Sequence, residues 1–172
     1  MSAKNVECKA RCQNIAAAEA KLLTLNPLFH GEDNQCDTYF NVPHGRMKLR
    51  EGNIENALIH YERMNTAGAK LSNVILYSHQ PDASLKALLT AALGVKVVVQ
   101  KKRRIYFIDN VKFHFDTLEG LGHFIEIEVI DRTGDVPVEK LQAQFDHYAD
   151  FLGILPMDYL SHSYSDMLLE RH

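Results

Sequence analysis

Segments of strand length with one apolar and one charged face recur along this sequence. The first, NVECKARC at residues 5–12, sets Val6, Cys8, Ala10 and Cys12 against Asn5, Glu7, Lys9 and Arg11. Successive side chains of a strand point to opposite faces, so this is a strand with one greasy and one charged side. GRMKLRE sets Arg46, Lys48 and Arg50 against Met47 and Leu49, and in ALIHYER Arg63 shares a face with Tyr61, Ile59 and Ala57. From Val95 onward the odd positions include Lys101 and Arg103. VKFHFD opposes Lys112, His114 and Asp116 to Val111, Phe113 and Phe115, and FIEIEVI opposes Glu126 and Glu128 to Ile125, Ile127 and Val129.

The connecting segments fit an antiparallel arrangement. Pro43-His44-Gly45 is a turn signal between CDTYFNV and GRMKLRE, and NALIHYER continues that meander. LSNVILYS adds a strand, and Asp109-Asn110 marks a hairpin. Helical composition and spacing appear in NIAAAEAKLLTL, which Asn26-Pro27 ends, and in ASLKALLTAAL, which Gly94 closes. A further helix spans VEKLQAQFDHYADFLG, followed by a short helical tail. About eight strands with few helices, over 172 residues and without an internal repeat or linker, predict one α+β domain with a large antiparallel sheet.

The charged faces admit two readings. One is a half-exposed sheet with water on its polar side. The other is a surface that meets a ligand. Charge segregates by strand, basic at Arg46, Lys48 and Arg50 and acidic at Glu126 and Glu128. Segregation forgoes the cross-strand pairing open to a solvated sheet, and suits a ligand with many negative oxygens and a divalent metal. If the sheet closes, these charges line a lumen that must hold water, ions or a polyanion, because burying them unpaired costs of order 20 kcal/mol per ion by the idealised Born estimate.

Composition excludes several classes. Nineteen basic and 22 acidic residues give a formal net charge of -3, so bulk electrostatics makes no case for nucleic acid. The sequence has no signal-peptide core and no spanning apolar run, so no membrane partner is expected. Three cysteines make no disulfide framework, and a reducing cytoplasm is the expected location. The nine histidines show no zinc-type spacing with them.

NVECKAR, DTYFNVPHGRMKLRE, ALIHYER, KKRRIYFIDNVKFHFDTLEGLGHFIEIEVI and SHSYSDMLLE, in this order, together resemble the CYTH family. That family joins class IV adenylate cyclases to thiamine triphosphatases within the triphosphate tunnel metalloenzymes. The nearest resemblance is to the bacterial class IV adenylate-cyclase-like branch. The resemblance implies a single domain over residues 1–172, an eight-stranded antiparallel closed β-barrel with helices packed outside, and a small-molecule triphosphate substrate. It implies Mg²⁺ or Mn²⁺ held by Glu7, Asp116, Glu126 and Glu128. Substrate phosphates fall to Lys9, Arg11, Arg46, Lys48, Arg50, Arg63, Lys101 and Arg103. Lys9, Arg103 and Asp116 are the catalytic candidates. Asn5 stands where the family signature has its first glutamate.

These residue types suit the chemistry. Guanidinium groups grip phosphate oxygens in bidentate fashion, and Mg²⁺ takes one or two carboxylates plus phosphate and water. Attack by the ribose 3′-hydroxyl on the α-phosphate gives cyclic AMP and pyrophosphate; attack by water makes a triphosphatase acting on thiamine triphosphate or inorganic triphosphate. A polyphosphate-binding protein without turnover is the third reading. The sequence leaves these open, along with a monomeric or homodimeric state. KKRR at 101–104 also fits a nucleic-acid patch, but it lies inside a strand pattern. Cys8 and Cys12 read as core thiols, Tyr39 and Tyr61 as packing, and His114 as a hydrogen-bonded lumen histidine. Gly120 and Gly122 read as turn glycines.

Overall fold

A computed structural model of the chain describes residues 2–62 and 67–171. Its strands are β1 (Ser2–Arg11), β2 (Leu28–Phe40), β3 (Arg46–Glu51), β4 (Asn56–Glu62), β5 (Lys70–Ser78), β6 (Val95–Ile108), β7 (Val111–Leu118) and β8 (Gly122–Asp131). Its helices are α1 (Ile15–Leu23), α2 (Ala83–Leu93), α3 (Val138–Phe151) and α4 (Tyr164–Glu170). The strands close into a barrel in the order β1-β5-β4-β3-β2-β6-β7-β8, each pair antiparallel. Because β1 pairs with both β5 and β8, the sheet has no free edge. The expected α+β barrel with outer helices is therefore the observed fold.

β2 and β6 form the longest pairing, from Leu28↔Phe107 to Phe40↔Val95, with register shifts at Phe29/Gly31 and Tyr39/Phe40. Such irregularities bend a strand and help a long ribbon curve around a barrel. The sequence places the start of this strand at Cys36, eight residues late. LFHGEDNQ carries a glycine and no β-branched residue, so its strand state comes from the partner that β6 supplies.

The main core lies outside the barrel wall. Val6 and Cys8 of β1, Phe113 and Phe115 of β7, and Ile125, Ile127 and Val129 of β8 pack against Leu22 of α1 and Leu141 and Phe145 of α3. Each such fully buried side chain contributes about 1.5–3 kcal/mol. Cys8 belongs to this core as a free thiol, and burial pushes its pKa up to about 12. A smaller cluster seats Leu89 of α2 on Phe40 and Leu49. Among the described residues, no helix is long and apolar enough to cross a membrane.

On β1, β7 and β8 the apolar faces are thus spent on the outside, which turns their charged faces inward. Antiparallel order puts the β3–β4 connection, the β6–β7 turn and the start of β1 at one end of the barrel. The C-terminal segment crosses the other end. There Leu160 N donates to Lys9 O at 2.9 Å, and the Tyr164 ring lies 5.0 Å from that of Phe124.

Candidate active site: the charged lumen

The lumen encloses about 750 Å³ of space, part of it open to solvent. Its wall has three sectors.

The basic sector comes from β2, β3 and β6. Asp37 is fully buried, and three cations converge on it. Arg50 donates through Nε and Nη2 at 2.9 Å each, Lys101 Nζ lies at 2.7 Å and Lys48 Nζ at 3.3 Å. Burial alone would raise the Asp37 pKa, but Arg50, Lys101 and Lys48 hold it well below the usual carboxylate range. One carboxylate cannot offset three cations, and Lys101 bears the deficit. Burial drives its ammonium down to about 7 despite Asp37, with Arg50 and Arg103 adding to the fall. Lys48 also lies 5.5 and 5.4 Å from the ring centroids of Tyr39 and Tyr61, within cation–π range. Further along β6, Arg103 forms a two-pronged pair with Asp116, both contacts at 2.7 Å, and Tyr164 Oη donates to Asp116 Oδ2 at 2.8 Å.

The acidic sector comes from β1, β7 and β8. Register sets Glu7 opposite Glu128 and Lys9 opposite Glu126. Lys9 Nζ lies 2.5 Å from Glu126 Oε2 and 4.3 Å above the Tyr164 ring. Asn5 Nδ2 donates to Glu128 Oε1 at 2.7 Å, tethering one of its oxygens. Burial, together with Glu7, Glu126 and Glu55, raises the Glu128 pKa to about 7 against the pull of Lys112. His114 is buried and lies opposite Glu126 in the β7–β8 register, its Nδ1 3.9 Å from Glu126 Oε1. Burial, Arg103 and Lys112 hold its pKa well below the histidine range, so the ring is neutral.

Between these sectors β4 and β5 supply an apolar stretch, with Ile59, Val74 and Leu76 facing the lumen.

The acidic sector fits a divalent cation. His114, Glu126 and Glu128 each offer a ligand atom within 4.8 Å of the others. Among the described residues, both His114 ring nitrogens and Asn5 Oδ1 are buried without a hydrogen-bond partner. Buried polar atoms normally have partners, so a neutral imidazole left unpaired beside two carboxylates matches a site made for a cation. The sequence expects a hydrogen bond to His114, and the ring has none here.

Residues 3–154 match the CYTH domain family, which is most of the chain. The chain belongs to the CYTH family. Among curated relatives, adenylate cyclase CyaB of Aeromonas hydrophila is 29% identical over 135 residues, covering 73% of this chain and 68% of that protein. Two solved structures share the fold. A Vibrio parahaemolyticus protein described as an adenylate cyclase candidate superposes with TM-score 0.77 at 18% identity, over 96% of this chain and 97% of that one. HpAC1 from Hippeastrum, described as having a dominant triphosphatase activity, superposes with TM-score 0.59 at 13% identity, over 98% and 95%.

Within this CYTH barrel, Glu7, Lys9, Lys48, Arg50, Lys101, Arg103, Glu126 and Glu128 all line the one lumen. Other expected residues lie elsewhere. Asp116 gives its oxygens to Arg103 and Tyr164 and is not part of the His114–Glu126–Glu128 group. Arg46 sits at the rim, bonded to Ser163 at 2.8 Å and paired with Asp166 at 3.0 Å. Arg11 is exposed, 5.4 Å from the Phe124 ring. Arg63 lies outside the described residues. The KKRR run divides across the wall: Lys101 and Arg103 point inward, while Lys102 and Arg104 pair outside with Glu32, and Arg104 also with Glu19.

The CYTH resemblance gives no site role to Asp37, Lys112, Glu55 or Tyr164, yet Lys112, Glu55 and Tyr164 line the lumen and Asp37 is buried against the lumen cations. Asp37 shares a strand face with Tyr39, and the alternation test applied to CDTYF finds it. Lys112 lies on the face of His114 and is legible in the same way. Glu55 sits in a connection, and Tyr164 arrives from the C-terminal helix, so neither carries a strand period.

Proposed function

We propose that this protein, one domain over residues 1–172 acting in the cytoplasm, binds a nucleoside triphosphate in the barrel lumen. It acts on it as a class IV adenylate cyclase-like enzyme, using Mg²⁺ or Mn²⁺ to convert ATP into cyclic AMP and pyrophosphate. The observation that carries this reading is the sorting of charge inside a closed wall. Three cations crowd one carboxylate on one side, and His114, Glu126 and Glu128 gather on the other. A surplus of buried positive charge beside a divalent-cation site is complementary to a metal-bound triphosphate.

Residue roles follow from the contacts. Arg50, Lys101 and Lys48 grip the phosphates, with Asp37 fixing their orientation. Arg103 is held rigid by Asp116 and Tyr164 and presents its outer edge to charge that builds on the transferring group. Asp116 is in this reading a positioning residue. His114, Glu126 and Glu128, with Glu7 opposite Glu128, would hold the metal. When bound it supplies Lewis-acid charge to phosphate oxygens. Lys9 donates to the departing pyrophosphate once the ligand competes with Glu126 for it. The 3′-oxygen–α-phosphorus bond forms, the bond from that phosphorus to the bridging oxygen breaks, and the hydroxyl proton leaves with pyrophosphate or solvent. The wall fixes the triphosphate from several sides, so orientation is settled on binding.

The test incubates the protein and Mg²⁺ or Mn²⁺ separately with ATP, thiamine triphosphate and inorganic triphosphate, and identifies products. Cyclic AMP with pyrophosphate is the expected result. Orthophosphate from any substrate replaces the cyclase reading with a triphosphatase. Tight binding without product makes this a polyphosphate-binding protein.

A further inference from the structure

One lumen carboxylate comes from no strand. Glu55 lies in the connection between β3 and β4 and reaches into the lumen at that end of the barrel. Its Oε2 accepts from Lys112 Nζ at 2.5 Å and its Oε1 from Gln35 Nε2 at 2.9 Å, while Arg50 Nη1 lies 3.5 Å away. The connection is fastened from beneath. Asp33, wholly buried, accepts from the backbone N–H groups of Ile54 and Glu55 at 2.9 Å each. Gly52 lies so close that a Cβ there would come within 2.6 Å of the Asp33 carboxylate. A turn at a barrel end needs none of this to turn. The fastening aims a negative charge at one place.

That place ends the row of cations. Lys48, Arg50 and Lys101 share the one carboxylate of Asp37, which leaves positive charge in surplus there. Arg103 is matched by Asp116, and Lys112 by Glu55. The surplus is therefore confined to the Asp37 cluster, and Glu55 cancels the cation beyond it. Its carboxylate, between Lys112 and Arg50, makes the charge-assisted contacts that a phosphate would make there. We infer that Glu55 is a tethered anion occupying the position of a further phosphate, so that the lumen selects a chain of three phosphates against four or more. This rests on the triphosphate reading above and adds a specificity-determining residue to it.

The experiment is calorimetric titration of the metal-free protein with inorganic tripolyphosphate and tetrapolyphosphate. Wild type binds the tetraphosphate no more tightly than the triphosphate, despite its greater charge. Glu55→Gln, which keeps the shape and uncovers Lys112, binds the tetraphosphate roughly tenfold more tightly than the triphosphate. A wild type that gains several-fold from the fourth phosphate overturns the inference and needs no variant. So does a folded Glu55→Gln protein, judged by its melting curve, with the wild-type ratio of the two affinities. Failure of wild type to bind either chain both without metal and with added Mg²⁺ overturns the triphosphate reading itself, which is a different result.

Discussion

Replacing Lys101 by Met removes one ammonium from the centre of the basic sector and leaves Asp37 well partnered. Arg50 keeps both 2.9 Å contacts and Lys48 stays at 3.3 Å. The barrel should therefore survive. Burial depresses the Lys101 pKa to about 7, so its charge in the folded protein costs stability below that pH. As pH rises from 7 toward the ordinary lysine value, the unfolded chain holds the proton that the folded one has released, and the cost fades. Lys101→Met lacks this slope and should be at least as stable as wild type at pH 6. Binding behaves oppositely. A charge-assisted contact contributes about 1.5–3 kcal/mol, so the variant should bind tripolyphosphate roughly ten- to a hundred-fold more weakly at pH 6.5. In wild type about half of Lys101 is charged at pH 7 and roughly a tenth at pH 8, and binding must restore the proton. The wild-type advantage should shrink toward tenfold per pH unit, about 1.4 kcal/mol, above pH 7. Calorimetry at pH 6.5 to 9 measures the ratio of the two affinities, in which the ligand's own ionisation cancels. A ratio constant across that range would mean that Lys101 does not lose its proton near pH 7 or does not contact the phosphates.

Arg50→Ala should weaken triphosphate binding even without metal, whereas Glu126→Gln should chiefly raise the metal concentration needed for turnover; metal titrations matching wild type in both variants would sink that division of roles. Asn5→Glu replaces the donor to Glu128 with a carboxylate, so the variant should melt lower than wild type without metal and regain the difference as Mg²⁺ is added. Melting curves that stay parallel through the titration would show that residue 5 does not face the cation. Tyr164→Phe removes one donor from the buried Asp116 carboxylate and should cost about 1.5–3 kcal/mol in urea unfolding. A loss below about 0.5 kcal/mol would mean that Tyr164 does not hold Asp116.

The barrel wall was legible because its period is local. Each strand states which residues share a face, and the closed order turns the Arg50, Lys101 and Glu126 faces to one space. What no strand period reports is who pairs with whom. Arg103 and Asp116 are directly opposed across β6 and β7, which only the register reveals, and that pairing occupies a carboxylate expected beside metal. Arg46 shares a face with Lys48 and Arg50, but it sits at the strand's first residue, where the C-terminal helix takes it. The first half of β2 is a strand by virtue of its partner, and Glu55 reaches the lumen by a fastened connection. All of these are long-range facts, and local propensity carries no trace of them.

Triphosphate and divalent metal should meet inside this barrel. A crystal structure with Mn²⁺ and a non-hydrolysable ATP analogue decides whether they do. The expected result is an anomalous peak among His114, Glu126 and Glu128, with phosphate oxygens against Arg50 and Lys101. Nucleotide bound on the outer surface, with the lumen filled by water alone, would contradict it.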